Sequence, residues 1–135
     1  MPYTISHKTV DREFTRKVEE ISGEKLTKCM QCGTCSGLCP MDASTEITPR
    51  MLIHLTALGQ REKVMNVNFA WLCATCYVCE MRCPRGLDVP KIVEAVRQMV
   101  LRTNTNFVEP FEIEREIIEE APQIAMVSSF RKHTA

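Results

Sequence analysis

Val10, Phe14, Val18 and Ile21 recur at the spacing of one helical face. They predict an amphipathic helix over residues 9–21, with Thr9 as N-cap and Gly23 as its stop. The period returns at Met51, Leu52, Leu55 and Leu58, in a helix opened by Thr48-Pro49 and closed by Gly59. A short helix over 60–65 and a segment from Val67 to Leu72 follow. The clearest helix starts at Asp88 as N-cap, with Ile92, Val93, Val96, Met99 and Val100 on its apolar face. It fades at the polar Thr103-Asn104-Thr105-Asn106. No hairpin signal of the Asn-Gly type interrupts this pattern. The fold class read from the pattern is all-α.

Three segments follow from the same reading. Residues 1–24 form a helical N-terminal extension, expected to pack on the rest of the chain, the alternative being an arm that docks on a partner subunit. Residues 25–103 hold every cysteine and form the main domain. Residues 104–135 form an extended C-terminal tail, broken at Pro110 and Pro122 and acidic over EIEREIIEE. Such a tail has too little apolar surface to fold alone, so it is read as a partner-binding segment.

Composition is that of an ordinary globular protein: of 135 residues, 44% are apolar and 25% charged. No apolar run approaches the ~20 residues of a membrane span, so direct membrane insertion is not expected. The N-terminal stretch lacks an apolar signal region, which points to the cytoplasm. Seventeen basic residues balance 17 acidic ones. That balance argues against a nucleic-acid partner, which leaves a basic footprint.

Eight cysteines change the picture. The first run is Cys29, Cys32, Cys35 and Cys39 followed by Pro40; the second is Cys73, Cys76, Cys79 and Cys83 followed by Pro84. Both read C-x₂-C-x₂-C-x₃-C-P, the spacing of [4Fe–4S] ligation. Three thiolates three residues apart let a short loop wrap one cube and reach three of its irons. A structural zinc site uses paired cysteines with a long gap, which leaves the third cysteine of each run surplus. Disulfides need an oxidising compartment. The reading is two [4Fe–4S] clusters, with all eight cysteines as metal ligands. At about −2 for each oxidised cluster with its thiolates, the loaded chain is acidic.

In two-cluster proteins with this motif the fourth cysteine of each run ligates the other cluster. That assigns Cys29, Cys32, Cys35 and Cys83 to one cluster and Cys73, Cys76, Cys79 and Cys39 to the other. The alternative gives each run its own cube. Pro40 and Pro84 speak against it, since each turns the chain just after its ligand.

Residues between the ligands are candidates for tuning. Gly33, Gly37 and Gly86 let backbone approach sulfide, or simply make turns. Lys28, Arg82 and Arg85 raise the potential if they face a cluster. Met30, Met41, Met81, Leu38 and Leu72 are expected to exclude water, and Trp71 and Tyr77 to pack in the core. No catalytic residue is expected. There is no glycine-rich nucleotide loop, His7, His54 and His133 are scattered, and every thiol is used as a ligand.

Two such runs separated by helices resemble the α-helical ferredoxin module, found in iron–sulfur subunits of succinate dehydrogenase and fumarate reductase and in heterodisulfide reductase C subunits. The segment from Lys28 to Cys35 and the segment Cys79-Glu80-Met81-Arg82-Cys83-Pro84-Arg85-Gly86 before a Val-Pro helix are most similar to the C subunits. The resemblance covers roughly residues 25–102. It implies a non-catalytic electron-transfer subunit of an oxidoreductase complex, in flavin-based electron bifurcation and methanogenesis. Electrons would come from a flavin-containing A subunit and go to a B subunit that reduces the CoB–CoM heterodisulfide. Hydrogenase or formate dehydrogenase would supply the larger assembly. The competing readings are the iron–sulfur subunit of a related glycolate, glycerol-3-phosphate or quinone-linked enzyme, or a diffusible ferredoxin.

Overall fold

The computed structural model describes residues 9–102 and 107–133. The expected polar linker at 103–106, and His7, lie outside the described residues. The chain divides into two compact units, Met1–Val100 and Leu101–Ala135. Among the described residues all regular structure is helical, as the periodicity predicts.

The first unit opens with α1, Arg12–Ser22. Its N-cap is Asp11, whose side chain accepts from the Phe14 N–H at 2.9 Å. The helix therefore starts later than the sequence pattern suggests, because Asp11 caps better than Thr9. Thr9 serves elsewhere: its carbonyl accepts from the Gln60 amide at 3.1 Å. Gly23, at φ 70°, closes the helix through an N–H bond to Glu19 O. Phe14 and Val18 are fully buried, whereas Val10 and Ile21 sit at the margin of that face.

The chain then reaches α2, Thr34–Gly37, inside the first cysteine run. Next come α3, Pro49–Ala57, and α4, Arg61–Met65. Thr48 caps α3 by accepting from Met51 N–H at 3.2 Å, with Pro49 at the first helical position. Gly59 follows at φ 66° and meets the start of α1, where Asp11 N–H donates to Gly59 O at 2.8 Å. Two short helices flank the second run: α5, Phe69–Leu72, and α6, Val78–Met81. The long α7, Val89–Leu101, is capped by Asp88, whose Oδ1 accepts from Lys91 N–H at 3.0 Å.

Phe14, Leu52, Ile53, Val64, Phe69, Ile92, Val93 and Val96 interlock in one core built from α1, α3, α4, α5 and α7. Cys29, Cys35, Cys73, Cys79 and Cys83 pack against its edge. The cysteine loops therefore rest on a rigid helical base.

Arg97 ties that base to the second run. From α7 it donates through Nε to Ala70 O and through Nη2 to Cys73 O, both at 2.6 Å. These charge-assisted bonds hold the end of α5 and the first ligand of the run. Arg97→Leu removes both and leaves two carbonyls short of a donor, at a cost of about 2 kcal/mol. Chemical denaturation of the loaded chain checks this; an unchanged midpoint would mean the bonds are replaced by water.

The second unit has a 3₁₀ turn at Pro110–Glu112, then α8, Arg115–Glu120, and α9, Gln123–His133. The segment expected as an extended tail thus carries helices of its own. Pro122 marks the break between them. Many of its apolar residues stay exposed, Phe111 completely and Ile124 at 74%, while Ile113, Met126 and Phe130 are half-buried.

Candidate cluster sites

Each cysteine run builds its loop by the same backbone device. Gln31 and Thr75, two residues after the first cysteine of each run, both adopt positive φ, 59° and 51°. Gly33 and Tyr77, four residues after it, do so again, at 85° and 61°. Left-handed residues at these offsets curl the loop around a concavity suited to a charged group. Glycine adopts this geometry freely, while Tyr77 adopts it at a cost of about 1–2 kcal/mol. Gly86 shares the conformation at φ 61°, whereas Gly37 does not and simply ends α2. The helices α2 and α6 that close the two runs pack on each other.

Two small cavities result, one beside each run. Cys29, Cys32 and Cys35 line the first, together with Cys83 from the second run. Cys73, Cys76 and Cys79 line the second, together with Cys39 from the first run. The two are adjacent: Val89, buried at the start of α7, lines both.

The donor chemistry fits a four-iron cube in each. Among the described residues no three acidic, histidine or cysteine side chains converge on a point that a single ion could occupy. The sulfurs instead line the walls of a cavity, as one thiolate per iron corner requires. Burial pushes the Cys79 thiol up to about 12; the Glu80 N–H opposes the rise, and Cys73 and Cys35 add to it. Burial likewise raises Cys35, reinforced by Cys29, and raises Cys39 against the opposing Met41 N–H. Cys32 is exposed and goes the other way, lowered chiefly by the Thr34 hydroxyl. Buried thiols that resist ionisation alone become thiolates on a cation, which inverts the local charge logic.

Several donors already face sulfur in the first cavity. Gln31 Nε2 donates to Cys29 Sγ at 3.3 Å, and Leu87 N–H to Cys83 Sγ at 3.3 Å. Thr34 Oγ1 lies 3.4 Å from Cys32 Sγ. Arg50 and Arg85 also line this cavity, Arg85 being held by Lys28 O at 3.2 Å. Of the three cations expected near a cluster, only Arg85 is there; Lys28 pairs with Glu24, and Arg82 lines neither cavity. Arg50 has no counterpart among those expectations, because in sequence it stands apart from both runs, on α3. Gln31 and Thr34 were legible in principle, as polar residues between ligands.

The apolar shield also differs in part from expectation. Met30 lines the first cavity, and Leu38 and Met41 line the second. Met81 and Leu72 line neither, and Met81 is 80% exposed. Trp71 and Tyr77, expected in the core, are each 49% exposed. The ends of the short helices α5 and α6 leave no interior for such large rings. His54 is exposed on α3, and His133 ends α9.

A family profile described as a 4Fe-4S dicluster domain matches residues 28–88. The chain is 35% identical over 88 residues to the C subunit of an H(2):CoB-CoM heterodisulfide,ferredoxin reductase from Methanothermobacter thermautotrophicus, covering 65% of this chain and 48% of the relative. It is 37% identical over 86 residues to the C subunit of a ferredoxin:CoB-CoM heterodisulfide reductase from Methanosarcina mazei, covering 64% and 53%. The C2 subunit of an H(2)/formate:CoB-CoM heterodisulfide,ferredoxin reductase from Methanococcus maripaludis is 39% identical over 83 residues, covering 58% and 45%. The chain spans about half the length of these curated relatives. Residues 28–88 match a 4Fe-4S dicluster domain, their two cysteine motifs bind two [4Fe–4S] clusters, and over this region the chain is similar to heterodisulfide reductase C subunits.

Proposed function

We propose that the chain is an electron-relay subunit of a CoB–CoM heterodisulfide reductase, a non-catalytic part of an oxidoreductase complex. Cys29, Cys32, Cys35 and Cys83 hold one cluster; Cys39, Cys73, Cys76 and Cys79 hold the other. One observation carries this reading: each cavity is walled by three cysteines of one run and the fourth of the other. When bound, the clusters supply one-electron chemistry that moves no substrate atom.

The protein's own part is to hold, separate and insulate. Val89 stands between the two cavities and keeps the path between them short and dry. The core helices fix both loops so that little moves when charge arrives. Upstream, a flavin-containing A subunit supplies the electrons, fed by hydrogenase or formate dehydrogenase within an electron-bifurcating assembly. Downstream, a B subunit reduces the heterodisulfide of methanogenesis. The names of the relatives, which print CoB-CoM heterodisulfide with H(2), formate or ferredoxin, support the heterodisulfide end of this placement. No helix among the described residues is long and apolar enough to cross a membrane, in keeping with a cytoplasmic complex.

Half-exposed Trp71, Tyr77 and Leu38, with the more exposed Met30 and Met81, favour a subunit over a free carrier. Large apolar groups beside a redox site are the usual mark of a docking surface. Anaerobic purification of the tagged chain from its host tests this. The expected result is co-purification of a flavoprotein and a cysteine-rich partner. A chain that runs alone near its own 15.4 kDa and reduces unrelated acceptors would instead be a diffusible ferredoxin.

A further inference from the structure

The two runs have identical spacing, so their residues can be compared position by position. Gln31 corresponds to Thr75, Thr34 to Val78, and Ser36 to Glu80. In the first run two of the three polar residues meet sulfur. Gln31 Nε2 donates to Cys29 Sγ at 3.3 Å, and Thr34 Oγ1 lies 3.4 Å from Cys32 Sγ. Ser36 Oγ accepts from Arg50 N–H at 3.1 Å, which fastens the start of α3, and with it Arg50, to the first run. In the second run none does so among the described residues. Val78 has no donor, Glu80 offers a carboxylate, and Thr75 makes no hydrogen bond to sulfur.

Charge follows the same division. Arg50 and Arg85 line the first cavity, and among the described residues no charged side chain lines the second. Close to the second, three residues after its ligand Cys39, Asp42 buries a carboxylate oxygen that has no hydrogen-bond partner. Backbone donors do not offset this. The Leu87 N–H donates to Cys83 Sγ at 3.3 Å, on the side of the first cavity.

Hydrogen bonds to sulfur and nearby positive charge both stabilise the reduced, more negative state of a cluster. We propose that the two sites are electrochemically unequal, the one at Cys29, Cys32, Cys35 and Cys83 having the higher potential because Gln31, Thr34, Arg50 and Arg85 surround its sulfurs with donors and positive charge. The first electron taken from the upstream donor therefore comes to rest in the first cavity, and a second is needed to reduce the other site. The inference rests on the crossed ligand sets proposed above.

The test is an EPR-monitored redox titration of the full chain with its clusters in place, using viologen mediators. Wild type is expected to give two separated midpoints. Gln31→Leu and Arg50→Gln should each move the higher one to more negative potential and leave the lower one in place. Arg50→Lys, which keeps the charge, should stay near wild type. Two equal wild-type midpoints, a shift in the lower midpoint only, or no shift in either variant would overturn the proposal. If Gln31→Leu loses its cluster, the Arg50→Gln and Arg50→Lys pair still decides. Failure of the crossed ligand sets shows itself separately, since it would appear in Cys83→Ser and not in these variants.

Discussion

Replacing Cys83 with serine is expected to abolish or reshape the EPR signal of the cluster held by Cys29, Cys32 and Cys35, although Cys83 belongs to the other run. Serine oxygen is a poor substitute for thiolate on iron, and one missing corner is enough to make a cube labile. Bound iron should fall to about half, because the second cavity keeps all four of its cysteines. Cys32→Ser should give the same spectrum as Cys83→Ser, and Cys39→Ser should match Cys76→Ser. Grouping by cavity in this way is the signature of crossed ligation. If Cys83→Ser instead matched Cys76→Ser, each run would hold its own cube. Crossed ligation would also tie residues on either side of α3 together and so couple metal binding to folding.

The second large effect lies far from any sulfur. Gly59→Ala should destabilise the chain by about 3 kcal/mol, the sum of left-handed strain and overpacking against a fixed neighbour. At φ 66° a side chain is disfavoured whatever the space. There is also no space: a Cβ would lie 2.6 Å from Asp11 O and 2.9 Å from Asp11 N. Those atoms cannot yield, because Asp11 caps α1 and donates its own N–H to Gly59 O. The substitution should lift α1 from α3 and expose Phe14 and Val18. Thermal unfolding followed by circular dichroism would report the loss, while iron content measured at low temperature should hold. An unchanged unfolding temperature would mean that the start of α1 moves without cost.

Much of this was legible in the chain itself. The cysteine spacing, Pro49 at the start of α3, Asp88 as a cap and the apolar faces of α3 and α7 depend on local order, and local order is what periodicity reports. What escaped depends on contacts distant in sequence. Arg50 reaches the first cavity only because α2 and α3 pack together. Gly59 reads as an ordinary helix stop until α1 is seen seated on it. Arg97 looks like a solvated charge on α7, yet it holds Cys73 and Ala70. Trp71 misleads for the opposite reason. Its size predicts burial, but the short α5 that carries it ends at the surface beside a ligand.

Unequal sites on one relay have a functional consequence. A chain whose two potentials differ holds a single electron in one place, and its readiness to pass that electron on depends on which partner faces which cavity. The side chains responsible, Gln31, Thr34, Arg50 and Arg85, are not cysteines, so they set the potentials without being cluster ligands.

The most direct measurement is iron and acid-labile sulfide analysis combined with EPR of the anaerobically isolated, fully reduced chain. Two four-iron clusters per chain are expected, with spectra broadened by magnetic coupling between adjacent cavities. One cluster per chain, bound zinc in place of iron, or two signals that ignore each other would contradict a pair of interlocked sites built for electron relay.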